Sequence, residues 1–91
     1  MLSPAERRAL KARAHKLEPV VTIGTKGLTS EVVKEIELAL KSHELIKVRA
    51  ASLERDDRES AMSAICAQTG AEAVQAIGKL FVLYRKSDAA R

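Results

Sequence analysis

The sequence predicts an α/β fold in the order α-β-α-β-α-β-β, a mixed four-stranded sheet packed on helices. Three observations lead there. Runs with apolar residues every three or four positions alternate with short β-branched or aliphatic runs. The last two apolar runs, Ala73–Ile77 and Leu80–Arg85, are separated only by Gly78-Lys79, a two-residue hairpin turn with glycine first. Ninety-one residues, 46% of them hydrophobic, suffice for one modest core and not for two. A single domain is therefore expected over residues 1–91, ordered over about 3–85, with a small polar tail at 86–91.

Ser3-Pro4-Ala5-Glu6 has the form of a helix start: Ser3 as N-cap, Pro4 in the first turn, Glu6 closing a capping box. That helix is expected to reach about Leu17, with Leu10, Ala14 and Leu17 inward. Arg7, Arg8, Lys11 and His15 fall beside this stripe at about 100° per residue. Glu18-Pro19 ends it, because the residue before proline avoids helical geometry. Val20–Ile23 reads as a buried strand. Thr29 caps a helix over about Ser30–Ser42, turning Val32, Val33, Ile36, Ala39 and Leu40 inward and leaving Glu37 and Lys41 as an exposed pair. Leu45–Ala51 is the next strand, with Ile46, Val48 and Ala50 on one face and Lys47 and Arg49 on the other. Asp56 or Asp57 is expected to cap a third helix that buries Ala61, Met62, Ile65 and Cys66 and stops at Gly70. Right-handed crossovers make the first three strands parallel, and the hairpin adds one antiparallel strand.

The residues that carry chemistry lie in Gly24-Thr25-Lys26-Gly27, at a strand-to-helix junction. Glycines let the backbone approach a ligand closely, and unpaired amides at the start of the next helix can donate to a phosphate. RNA modules of the KH type clamp nucleotide backbones with a GxxG loop, although four residues alone are a weak signal. Charge distribution strengthens it. The net charge is +4, and it is segregated: residues 1–27 hold six Lys/Arg against two Asp/Glu, and 73–91 hold four against one. Residues 28–44 hold two against four, 54–72 two against five, and 45–53 two cations with no acid. A basic side and an acidic side follow, which suits a polyanionic partner.

Other classes fit poorly. Phe81 and Tyr84 are the only aromatic residues, too few for a base-stacking platform. Cys66 is the single cysteine, so neither a disulfide framework nor a multi-cysteine zinc site is expected, and a reducing, cytoplasmic setting is. Met1-Leu2-Ser3-Pro4 leads straight into a charged helix without a leader-like apolar run, and no stretch is long enough to span a membrane. His15 and His43 lack companion ligands, the serines and Thr29 read as caps, and Asp56, Asp57 and Glu59 suit a helix first turn. No enzyme, metal, cofactor or small-molecule substrate is expected, and nothing demands more than a monomer.

Larger blocks of sequence resemble one family. Arg7-Arg8 with Leu10 and Ala14-His15, Pro19-Val20-Val21, Ile23-Gly24, Gly27-Leu28-Thr29, His43–Val48, Ile77-Gly78-Lys79 and Val82–Arg85 are similar, block by block and in spacing, to the CRM domain (chloroplast RNA splicing and ribosome maturation) in its stand-alone bacterial YhbY-like form. The resemblance spans about residues 3–85. It implies an RNA-binding fold similar to the C-terminal domain of a bacterial translation initiation factor. It also implies association with large-subunit ribosomal RNA in pre-ribosomal particles. By position, Gly24 and Gly27 match the family's loop glycines, and Lys47, Gly78, Lys79 and Arg85 match positions that are basic or glycine. Many members place lysine directly after the first glycine, whereas this chain has Thr25 there and Lys26 next.

The expected RNA contacts are thus Gly24, Thr25, Lys26 and Gly27, flanked by Arg7, Arg8, Lys11, Lys47, Arg49, Lys79 and Arg85. The competing expectation is a protein-interaction adaptor that docks through its acidic helices, with Glu31, Glu35, Asp56 and Glu59 as contacts.

Overall fold

A computed structural model describes residues 2–86. Its elements are α1 (Pro4–Ala14), β1 (Val21–Thr22), α2 (Ser30–His43), β2 (Leu45–Arg49), α3 (Arg55–Thr69), β3 (Glu72–Ile77) and β4 (Leu80–Tyr84). The expected order is present. The strands form one sheet in the order β1-β2-β4-β3, in which β1 runs parallel to β2 and β4 runs antiparallel to both neighbours. The hairpin therefore folds back so that β4 fills the centre and β3 becomes an edge, leaving β1, β2 and β3 in one direction.

The sheet is covered on both faces. Ile36 and Leu40 of α2 and Ala61 and Ile65 of α3 pack against Val21, Ile46, Val48, Phe81 and Leu83. On the opposite face Leu10 and Ala14 of α1 pack against Leu45, Val74 and Val82. The strict alternation along β2 thus feeds two cores: Ile46 and Val48 serve one, and Leu45 serves the other. The aliphatic core is closed by Phe81, 1% exposed.

Several boundaries differ from expectation. α1 stops at Ala14 rather than near Leu17, because Lys16 and Leu17 donate to Arg13 and Ala14 in tight i→i+3 turns. β1 is two residues long and Val20 is 51% exposed, so Val20 is not a buried strand residue. β2 ends at Arg49. Glu54, not Asp56 or Asp57, occupies the N-cap of α3, and it makes no side-chain cap bond. Asp56 and Asp57 lie inside the first turn instead. Met62 and Cys66 are half-buried, as is Val33. Thr29 caps α2 and Gly70 ends α3 in the left-handed region, φ 75°, both as expected. The tail expected at 86–91 lies, beyond Lys86, outside the described residues.

Candidate nucleic-acid interface

Because β1, β2 and β3 run in one direction, the segments that follow them gather at one end of the sheet. These are the loop Gly24–Gly27, the turn Ala50–Leu53 and the hairpin tip Gly78-Lys79. Hydrogen bonds join the three. Ile23 N–H donates to the Arg49 carbonyl at 2.7 Å, the Ser52 hydroxyl donates to the Ile23 carbonyl at 3.0 Å, and Ala50 N–H donates to the Lys79 carbonyl at 2.7 Å. The sequence pattern does not single out Ser52 or Ala50, whose partners lie far along the chain.

The loop is a closed turn. Gly27 N–H donates to the Gly24 carbonyl at 3.0 Å, and Thr29 N–H donates to the Gly27 carbonyl at 3.1 Å. Gly27 has φ 75°, where an L side chain is strained; Gly24 does not have positive φ, and a Cβ there would meet nothing within 4 Å. The fold thus requires glycine at Gly27 but not at Gly24. Thr25 and Lys26 are exposed, and their N–H groups have no partner among the described residues. The helix-start amides are partly taken up internally, since Val32 N–H donates to the Thr29 hydroxyl at 3.2 Å. Glu31 also sits in that first turn and accepts from the Ser30 hydroxyl at 3.0 Å.

The basic side chains divide into two groups. Arg8, Lys11, Lys26, Arg49 and Lys79 are exposed and make no intramolecular bond among the described residues. Arg7, Lys47 and Arg85 use donors inside the fold. The Arg7 guanidinium donates to the carbonyls of Ala73 and Val74, where a register shift in β3 leaves backbone to satisfy. Lys47 Nζ donates to the Leu17 carbonyl at 2.9 Å, holding the end of the first helical segment over the sheet. Arg85 bonds Glu37 Oε1 at 2.8 Å and the Thr69 carbonyl at 2.6 Å. Glu37, expected as an exposed partner for Lys41, is half-buried and pairs with Arg85 at the end of β4.

Helix α1 is oriented so that one of its free cations, Lys11, faces the same end. Glu6, Ala9 and Arg13, on one flank, line a cleft with Tyr84, at the finish of β4 and away from the loops. Lys11, about 100° around from Leu10, projects from the other flank, and Arg8 lies nearer the solvent-facing back. Across the sheet on this face, Thr22, Arg49, Leu80 and Ile77 stand in one row. Ile77 is 51% exposed, so α1 leaves that row open. The acidic first turns of α2 and α3 belong to the layer behind the sheet.

Comparisons with known proteins show the family of the chain. A model of the CRS1 / YhbY (CRM) domain matches residues 2–85. An RNA-binding protein of Haemophilus influenzae is 47% identical over 90 residues, spanning 99% of this chain and 91% of that protein. A Pseudomonas aeruginosa protein named "Probable RNA-binding protein" is 43% identical over 86 residues, spanning 94% and 83%. The solution structure of a Staphylococcus aureus hypothetical protein superposes with TM-score 0.84 at 34% identity, covering 97% of this chain and 92% of that one. Neighbours of this similarity share both fold and family, and the chain belongs to the CRS1/YhbY (CRM) domain family.

Proposed function

We propose that this chain is a non-catalytic RNA-binding protein that associates with precursors of the large ribosomal subunit and assists their assembly in the cytoplasm. Gly24, Thr25, Lys26 and Gly27 meet the ribosomal RNA backbone, while Arg8, Lys11, Arg49 and Lys79 add phosphate contacts around the loop. Arg7 and Lys47 brace the first helical segment against the sheet through backbone carbonyls, and Arg85, past the end of β4 and so at the end of the sheet opposite the loop, braces α2 and α3. The observation that carries this reading is the convergence of the GxxG loop, the Ala50–Leu53 turn and the hairpin at one end of the sheet, with exposed, unpartnered cations on each side. Names of relatives in the family support RNA as the partner.

Contacts of this kind depend on salt, because each neutralised phosphate releases counterions. The test is single-stranded RNA binding by wild-type chain and by Gly24→Asp, at several salt concentrations. Asp at position 24 fits the fold and sets a carboxylate against the phosphate. A loss of affinity of about tenfold or more is expected, in line with one repulsive charge at close range. Unchanged affinity in the folded variant overturns the loop reading. Recovery of pre-ribosomal particles with the chain, abolished by ribonuclease, tests the assembly role; partners that survive complete RNA removal point to protein docking instead.

A further inference from the structure

A groove of about 710 Å³ lies between α3 and the β3–β4 hairpin. Arg55 and Arg58 line it together with Met62, Ser63, Ala76 and Phe81. Nothing in the loop-centred reading uses this groove, and the charge pattern of the sequence hides it, because residues 54–72 are acidic in sum. We infer that the groove is a second RNA site, which takes an unstacked nucleotide of the same strand held by the Gly24–Gly27 loop. The inference rests on the proposed RNA-binding reading and extends it to a path across the end of the sheet.

Its chemistry fits a nucleotide in two parts. Met62 and Ala76, over the buried Phe81, supply apolar surface for a base, and two guanidiniums supply planar donors for phosphate or base. Arg58 is held in place by donating to the Leu53 carbonyl at 3.2 Å, and is half-buried. Arg55 is exposed, with no partner among the described residues. Glu59 also borders the groove; its carboxylate accepts from the exocyclic amine of a base, and two arginines outweigh it in charge.

Position argues for the same occupant. The hairpin glycine Gly78 lines the groove, and its neighbour Lys79 is bonded through its carbonyl to Ala50. The groove and the loop are thus the two ends of one row of linked turns. From β1 to β3 is three strand spacings, about 14 Å, a distance a few nucleotides of single strand cover.

The test compares single-stranded RNAs of about four and about eight nucleotides, the shorter matching what a GxxG module holds. Wild type, Gly24→Asp, and the double variant Arg55→Glu/Ser63→Glu are measured by fluorescence anisotropy. Both groove substitutions suit the fold: an acid in the first turn of α3 favours the helix, and Ser63 is exposed on that helix. The expected result is that the groove variant weakens the longer RNA by about fivefold or more and leaves the shorter one unchanged, since only the longer strand reaches the extra cations. Gly24→Asp should weaken both. A groove variant that binds the longer RNA like wild type, while Gly24→Asp weakens both, overturns the groove and leaves the loop reading standing. If Gly24→Asp changes neither, the loop reading falls and the groove inference falls with it.

Discussion

Arg85 and Glu37 form an ion pair at 2.8 Å, with side chains 21% and 33% exposed, that joins the end of β4 to the middle of α2. The same Arg85 nitrogen donates to the Thr69 carbonyl at the end of α3, and Arg85 N–H donates to the Glu44 carbonyl. One residue past the last strand thus ties both helices behind the sheet to the central strand. Replacing it removes a charged donor from a half-screened site. Arg85→Ala is expected to lower unfolding stability by about 1–2 kcal/mol, with RNA affinity below the unfolding transition changed little. Urea unfolding and binding measured side by side check this. A large loss of affinity without a loss of stability would show that Arg85 acts on RNA directly.

The two loop glycines should separate fold from function. Gly27→Ala forces a Cβ into φ 75° and is expected to cost about 1–2 kcal/mol. Gly24→Ala carries no such strain and should leave stability level or raise it by up to about 1 kcal/mol, by restricting the unfolded chain. Thermal or urea unfolding of the pair reads the difference.

Removing the free cations at the loop end should change salt dependence more than structure. In Lys26→Ala/Arg49→Ala/Lys79→Ala, the slope of log affinity against log salt for single-stranded RNA should become shallower by about 2, if each cation meets one phosphate. All three side chains are exposed and unbonded among the described residues, so circular dichroism should not change. An unaltered slope would place the RNA elsewhere.

Glu6 gives a pH signature. Its carboxylate accepts from Ser3 N–H at 2.9 Å, and this bond holds its pKa below the ordinary value of 4.5. A carboxylate with a lowered folded-state pKa stabilises the fold above its unfolded value, and that contribution is lost as pH falls through the folded one. Thermal melts below pH 4.5 should therefore show a decline that Glu6→Gln, which can still close the capping box, makes shallower. Melts with identical slopes would contradict the assignment.

Much of this molecule is legible in local sequence because the deciding contacts are local. Ser3 with Glu6, Thr29 with Val32 and Gly70 after Thr69 are caps whose partners lie within a few residues. Gly78-Lys79 likewise fixes the hairpin register. What stays hidden depends on distant partners. Arg7 reads as a free cation, yet its acceptors are the carbonyls of Ala73 and Val74. Lys47 and Arg85 read as surface charges, yet each bonds a carbonyl from another element. Arg55 and Arg58 are masked by the acids around them until α3 is laid beside the hairpin. Glu54 takes the cap position from the aspartates because the chain leaves extended geometry, φ −71° and ψ 165°, at Glu54, two residues before Asp56.

The central claim, that RNA binds at the loop end of the sheet, is tested most directly by titrating isotope-labelled chain with single-stranded RNA and following its backbone amides by NMR. The claim predicts that Thr25, Lys26, Ala51 and Lys79 shift in a salt-sensitive manner while Leu38 and Leu45 stay still. Shifts centred on Glu35, Leu38 or the Leu45–Tyr84 end, with the Gly24–Gly27 loop unmoved, would contradict it.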